Sequence, residues 1–207
     1  SVSHLELDVA TMNCDFLAFS AHKMFGPTGI GLLYGKAERL AEMEPLQVGG
    51  GMVDSVGVGS EPSRWTCVPA RFEAGSPDMP GAAGFAAAAE YLTGLGIGSV
   101  RRHVAALSRL AAERLLALDG VRLLPHAELP SSGIVAFTHR DLHPHDIAQI
   151  AGESGVAIRA GHHCAQPLLH HLGLTATARA SFSVYNDEAD IEALVAAIAS
   201  AEQVFNR

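Results

Sequence analysis

Two short stretches of this chain bring together side chains capable of covalent chemistry. The first is Ser20-Ala21-His22-Lys23, which closes the apolar run from Phe16 to Phe19 and precedes the turn Gly26-Pro27-Thr28-Gly29. A strand that delivers polar side chains to a glycine-rich turn is a common seat of chemistry on an α/β sheet. An amine beside a hydroxyl and an imidazole can form a Schiff base with an aldehyde cofactor, the other two groups holding an attached phosphate. Such a lysine needs a site that favours the neutral or imine form, since a free amine titrates near a pH of about 10.4. Lys23 is one of two lysines among 14 basic residues. The other, Lys36, precedes a charged segment and is expected at a solvated helix start. A plain surface lysine on a loop remains the alternative for Lys23, because a tetrapeptide is a weak motif.

The second stretch is Arg159-Ala160-Gly161-His162-His163-Cys164. Thiolate is the reactive form of cysteine, and cationic neighbours or helix N-termini lower a thiol pKa from its usual value of about 8.5. Cys164 has Arg159, His162 and His163 upstream, a short helix expected downstream, and in Gly161 a residue that permits a tight turn. That is the setting of a nucleophilic thiol on a mobile loop. Two other readings stay open: a metal site using His162, His163, Cys164, His170 and His171, although adjacent ligands match no standard zinc spacing, and an inert buried cysteine. Cys14 is expected to pack, and Cys67, in a long loop beside Trp65, has no assigned role. Arg179, at the start of an apolar strand, needs a carboxylate partner, either that of a substrate or a structural acid.

Composition bounds the rest. A chain of 207 residues can bury a sizeable core in one large domain or two modest ones. The net charge of −8 argues against a nucleic-acid groove, and no uncharged apolar run approaches membrane-spanning length. Three cysteines outside any CxxC pair fit reduced thiols in a cytoplasmic protein.

Elements must position the two stretches. Asp8 is expected to cap a short helix through Asn13, followed by a buried strand from Phe16 to Ser20 and another from Gly29 to Tyr34, too close for a helical crossover and so antiparallel. A short helix spans Lys36 to Met43, and Gln47 to Pro69 is expected as one long irregular loop. Helices follow from about Gly81 to Leu92 and from Ser99 to Leu118, separated by Gly94-Leu95-Gly96-Ile97-Gly98. The second is periodic, with Val104, Leu107, Leu110, Ala111 and Leu115 on one face and Arg101, Arg102, Arg109 and Glu113 largely on the other. We place a domain boundary near this glycine break, giving domains 1–95 and 96–207. Beyond it strands and helices alternate as in a small α+β domain. Strands are expected over Val121 to Leu124, Gly133 to Thr138, Val156 to Arg159 and Ala178 to Ser183, with helices over His143 to Glu153, Pro167 to Leu172 and Asp187 to Phe205.

Four segments occur in a familiar order: Ser20-Ala21-His22-Lys23, Arg71-Phe72-Glu73-Ala74-Gly75-Ser76-Pro77, Arg159 through Ala165, and Arg179-Ala180-Ser181. In this the chain resembles, along its whole length, the cysteine desulfurases that depend on pyridoxal 5'-phosphate (PLP). The SufS type is most similar, within the class V aminotransferase-like proteins of fold type I. The resemblance implies an α/β fold: the C-terminal part of a large PLP-binding domain followed by the small domain. It implies Lys23 as the Schiff-base lysine, Ser20 and His22 as phosphate ligands, and Ser76 where the family usually has a threonine reaching the phosphate in the neighbouring subunit of a homodimer. Arg179 would grip the substrate carboxylate, and Arg159 would line the cysteine loop. Cys164 would take the sulfur of L-cysteine as a persulfide, leaving alanine.

A sulfur acceptor of the SufE or SufU kind would then carry the sulfur to Fe–S cluster assembly. The family's ring-stacking histidine and Asp-x-x-Gln pair have no counterpart here, and Ser1 aligns just after that Gln. The chain is therefore expected to be a C-terminal half, inactive alone. Selenocysteine lyase, with the same lysine and cysteine, is the enzyme alternative; a catalytically incomplete half acting as scaffold is the other.

Overall fold

The structure, a computed structural model, describes residues 2–124 and 132–205. Ser1, where the alignment just described begins, lies outside them. The chain divides into two compact units, Val2–Gly96 and a second from Ile97 onward.

In the first unit Asp8 accepts from the Ala10 N–H at 2.9 Å and caps the single-turn helix α1 (Val9–Met12). Strands β1 (Phe16–Ser20) and β2 (Gly31–Gly35) pair antiparallel, from Phe16 against Gly35 to Ser20 against Gly31. Helix α2 (Ala37–Glu42) follows at once. Lys36 sits at its N-cap and is not simply solvated: its Nζ lies 3.2 Å from Asp15 and donates to Asn13 at 2.8 Å. Arg71 closes the other end of α2, its Nη2 donating to the carbonyls of Leu40, Ala41 and Met43. Among the described residues only the Leu40 carbonyl has another partner at this end, the Met43 N–H at 3.3 Å, so the arginine of the second motif has a structural task.

The segment from Gln47 to Pro69 is less irregular than expected. It contains a bulged antiparallel pair, β3 (Val53–Ser55) with β4 (Arg64–Trp65). The Trp65 indole donates to Glu44 at 2.7 Å, and the Met52 side chain is fully buried beneath the loop. Strands of 3 and 2 residues carry too little alternation to be legible in advance within a segment rich in glycine and serine. Helix α3 (Met79–Leu95), capped by Asp78 on the Gly81 N–H, packs across the turn after β1: Phe85 meets Phe19 edge-on, with ring centroids 5.9 Å apart.

The expected five-residue glycine break reduces to one residue, Gly96 (φ +78°), before helix α4 (Ile97–Leu116). The second unit is an antiparallel sheet in the order β5 (Val121–Leu123), β6 (Ile134–His139), β8 (Thr177–Ser181), β7 (Arg159–Gly161). Helices α4, α5 (Pro144–Glu153) and α7 (Glu188–Phe205) pack on it, and α6 (Gln166–His171) joins β7 to β8. Phe137, Val135, Ala178 and Ala180 from the sheet meet Leu115, Ile147, Ile191 and Ile198 from the helices. The face of α4 is as the periodicity predicts: Val104, Leu107, Ala111 and Leu115 are buried, Leu110 partly so, and Arg101, Arg102, Arg109 and Glu113 are exposed.

One strand is misplaced by the sequence reading. Val156 and Ile158 pack against the core without pairing, and β7 begins only at Arg159. The Val156 N–H returns to Ala151 at 2.8 Å in the helix-terminating turn, with Gly155 left-handed, so apolar character there records packing and not sheet register. Among the described residues no helix is long and apolar enough to cross a membrane. Phe137→Ala should lower the unfolding free energy by about 3–5 kcal/mol in urea titrations followed by far-UV circular dichroism, because it empties the centre of this core.

Candidate active site

Each unit presents one of the two motifs. At the end of β1 the chain enters a 3₁₀ turn, Ala21–Met24, that splits the motif by face. Ala21 and Met24 are buried, while His22 and Lys23 are exposed. Phe25 is left-handed (φ +68°), and the Gly26 N–H closes the turn on Ala21 O at 2.9 Å. Two glycines make the corner possible: a Cβ on Gly26 would stand 2.9 Å from that of Ala21, and one on Gly31 only 2.7 Å from Phe19 O. Among the described residues no carboxylate pairs with Lys23, whereas the only other lysine is held by Asp15. Ser20, His22 and Lys23 thus form an unengaged set of hydroxyl, imidazole and amine. That donor set fits a phosphorylated aldehyde.

Ser76 is also exposed, between left-handed Gly75 and the N-cap of α3. The Gly75 N–H donates to Gly50 O at 2.9 Å, and a Cβ on Gly49 would meet Gly75 N at 3.1 Å. The Gly49-Gly50-Gly51 run therefore lies backbone to backbone under the segment that carries Ser76.

In the second unit the register of β7 with β8 sets Arg159 directly opposite Arg179 and Gly161 opposite Thr177. Strand alternation turns Ala178 and Ala180 toward the helices, so Arg159, Arg179 and Thr177 share the opposite face. Like charges directly across a strand pair repel, yet no carboxylate pairs with either guanidinium among the described residues. Arg179 Nε is buried with no hydrogen-bond partner. Among the described residues, then, no ion pair accounts for Arg179.

The chain then leaves β7 through Gly161 (φ +116°), a conformation open to glycine alone, and turns through His163 (φ +55°) and Cys164 (φ +59°). Two successive left-handed residues with side chains cost of order 1–3 kcal/mol each and need outside support. Several contacts supply it. The Cys164 N–H donates to His162 Nδ1 at 3.1 Å, and Ala165 N–H donates to His162 O at 2.8 Å. His163 Nε2 lies 3.0 Å from Thr177 O and 2.8 Å from Thr177 Oγ1. A carbonyl only accepts, so Nε2 carries the proton and Nδ1, buried without a partner, is bare. Arg159 Nη2 donates to the exposed Cys164 Sγ at 3.6 Å. Among the described residues no group of three or more His, Cys, Asp or Glu side chains could hold a metal.

The residue that sequence reasoning missed is Thr177. A short polar side chain beginning an apolar strand gives no signal by itself, although it is fully buried beneath the His163 ring. His145 also escaped notice: its Nε2 would lie 3.6 Å from a Cβ on Gly161, placing α5 against the root of the cysteine loop.

The strand-end lysine lies in one unit, and in the other the cysteine loop follows the strand that sets Arg159 opposite Arg179. The sequence matches the class-V aminotransferase family over residues 1–194, and the chain belongs to that family. It is 44% identical over 205 residues to a probable cysteine desulfurase of Halalkalibacterium halodurans, covering 99% of this chain and 50% of the relative. The crystal structure of the Escherichia coli cysteine desulfurase CsdA superposes with a TM-score of 0.90 at 39% identity, over 98% of this chain and 50% of that one. A variant of C-DES with glycine covalently linked to its PLP cofactor superposes at 0.80 and 28% identity, over 96% and 49%. The chain thus spans about half the length of these relatives, and has their α/β fold.

Burial lowers the His163 pKa from imidazole's ordinary value, and Arg179, then Arg159 and His162, lower it further against the raising effect of the Thr177 hydrogen bond. Above a pH of about 6.5 the ring is neutral whether folded or unfolded, and its contribution to stability is complete. Below that pH the unfolded chain takes up a proton that the folded loop resists, so stability is lost as pH falls toward the lower folded pKa. The His163 ring resonance in NMR should therefore titrate below the usual histidine range, and Arg179→Gln should move its midpoint upward.

Proposed function

We propose that this chain carries the cofactor lysine and the sulfur-accepting thiol of a PLP-dependent cysteine desulfurase. The observation that carries the reading is the Arg159–Arg179 pair: two guanidiniums that meet no carboxylate among the described residues, beside an exposed thiol held in a strained turn. The similarity to enzymes of that name over nearly the whole chain supports it.

Residues 1–95 are then the remainder of the large cofactor-binding domain, and residues 96–207 the small domain bearing the cysteine loop. Lys23 would hold the cofactor's aldehyde carbon, Ser20 and His22 its phosphate, and Ser76 the phosphate across the interface of a homodimer. When bound, PLP supplies an electron sink for the bond changes at the substrate's carbon framework. The protein's own residues position and charge the reactants. Arg179 Nε, buried and unsatisfied, is a donor awaiting the substrate carboxylate, and charge-assisted bonds of this kind are about twice as strong as neutral ones. Arg159 holds negative charge on Cys164 Sγ until that sulfur attacks the sulfur of L-cysteine.

The new S–S bond forms as the substrate's C–S bond breaks. Its electron pair stays with Cβ, which takes a proton to become the methyl group of alanine, and Cys164 is left as a persulfide. With Cys164 exposed on its loop, a small acceptor protein can reach the terminal sulfur. The Arg-x-Gly-His-His-Cys sequence supports the SufS type, a SufE- or SufU-like acceptor, and delivery to Fe–S cluster assembly in the cytoplasm.

In the whole protein, Lys23→Ala should abolish the visible absorption of the bound cofactor, whereas Cys164→Ala should keep it while losing protein-bound sulfane sulfur, detected by cyanolysis. Persulfide on the protein after Cys164→Ala would refute the assignment. Separately, Arg179→Ala should raise KM for L-cysteine about ten- to a hundredfold, the value of a lost hydrogen bond to a charged group. An unchanged KM would remove Arg179 from substrate binding.

A further inference from the structure

We infer that His163 is the positioning residue for Cys164, suspending the turn that carries the thiol from buried Thr177 and so keeping the sulfur beside Arg159. The inference builds on the reading of Cys164 as the sulfur-accepting thiol.

The backbone cannot hold this turn unaided, because His163 and Cys164 are both left-handed without being glycine. The bonds from Cys164 N–H to His162 Nδ1 and from Ala165 N–H to His162 O lie inside the turn and would travel with it. Among the described residues, two side-chain hydrogen bonds tie the 162–165 turn to the sheet: His163 to Thr177, and Arg159 to Cys164. They differ in character. The sulfur contact is long, 3.6 Å, and joins an exposed arginine to an exposed thiol. The histidine contact is short, meets two oxygens of one residue, and ends on a fully buried side chain whose strand position is set by pairing with Gly161.

The same geometry excludes a second role. Nε2 is committed to Thr177, Nδ1 is buried and unpartnered, and the ring makes no hydrogen bond to Sγ, so His163 is not the base that deprotonates the thiol. What it controls is where Sγ lies relative to the Arg159 charge.

The test needs neither cofactor nor substrate. The whole protein is treated with iodoacetamide at neutral pH, and labelling of Cys164 is read by site-resolved mass spectrometry. Exposed Cys67, in the other unit, is the internal reference. H163N keeps a residue tolerant of the left-handed backbone but is too short to reach Thr177, so the turn survives and its anchor does not. H163Q places an amide N–H where Nε2 stood. H163N should lower the Cys164-to-Cys67 ratio about threefold or more, and H163Q should restore it to within about twofold of the parent. R159A should also lower the ratio, and R159A combined with H163N should fall no further than the lower single variant, because both act through one contact. A ratio in H163N equal to or above the parent's, equal loss in H163N and H163Q, or multiplying effects in the double variant would overturn the inference. Absence of desulfurase activity with these labelling shifts intact would instead overturn the functional reading and leave the anchor standing.

Discussion

The pairing of β7 with β8 is the constraint on which the second unit's chemistry depends. A three-residue register sets Arg159 against Arg179, Ala160 against Ala178 and Gly161 against Thr177. Each pair serves a different end. Ala178 lies in the core beneath the helices, and Ala160 opposite it is half-buried. The arginines face the other way and repel each other, a cost that an anionic ligand would relieve. Gly161 opens the left-handed exit, and Thr177 receives the histidine that returns over it. A slip of β7 by one residue would turn the Arg159 guanidinium to the core face.

The first unit solves a simpler problem by the same alternation of faces. Strand β1 is not the buried strand its apolar run suggests: along its pairing with β2, Phe16 and Ala18 are exposed and Leu17, Phe19 and Ser20 half-buried. The 3₁₀ turn then points Ala21 and Met24 inward and His22 and Lys23 outward. Glycines stand where a Cβ would strike the corner's own backbone. The two lysines part company through their surroundings. Lys36 is drawn to Asp15 and Asn13 at the root of the hairpin, while exposed Lys23 meets no carboxylate among the described residues. Arg71 shows the converse. Its motif suggests a site, but its Nη2 is occupied with the carbonyls that end α2, while its Nε is buried without a hydrogen-bond partner.

Much of this was legible in advance because it is local. The β1–β2 hairpin followed from two apolar runs too close for a crossover, and the buried face of α4 from its 3.6-residue period. Asp8 was readable as a helix cap because a short carboxylate bonds only to the N–H groups just ahead of it. What failed to show was non-local. Val156 and Ile158 look like a strand because they are apolar, yet strand identity there depends on which residues of β8 stand opposite. The β3–β4 pair hides in a segment of glycine and serine, and Thr177 is inconspicuous until a histidine from another loop covers it.

By itself the sequence determined which groups could react: one amine beside a hydroxyl and an imidazole, one thiol among cations, and one arginine in an apolar strand. Their order and identity are properties of the chain, and they limit the chemistry before any folding. Only the tertiary structure decided their state. Among the described residues it left Lys23 without a carboxylate partner, set Arg159 across from Arg179 with no acid paired to either, and fixed His163 on Thr177 with Nδ1 buried and unpartnered. Charge and tautomer depend on which groups come within a few ångströms, and strand register brings together residues that the sequence keeps far apart.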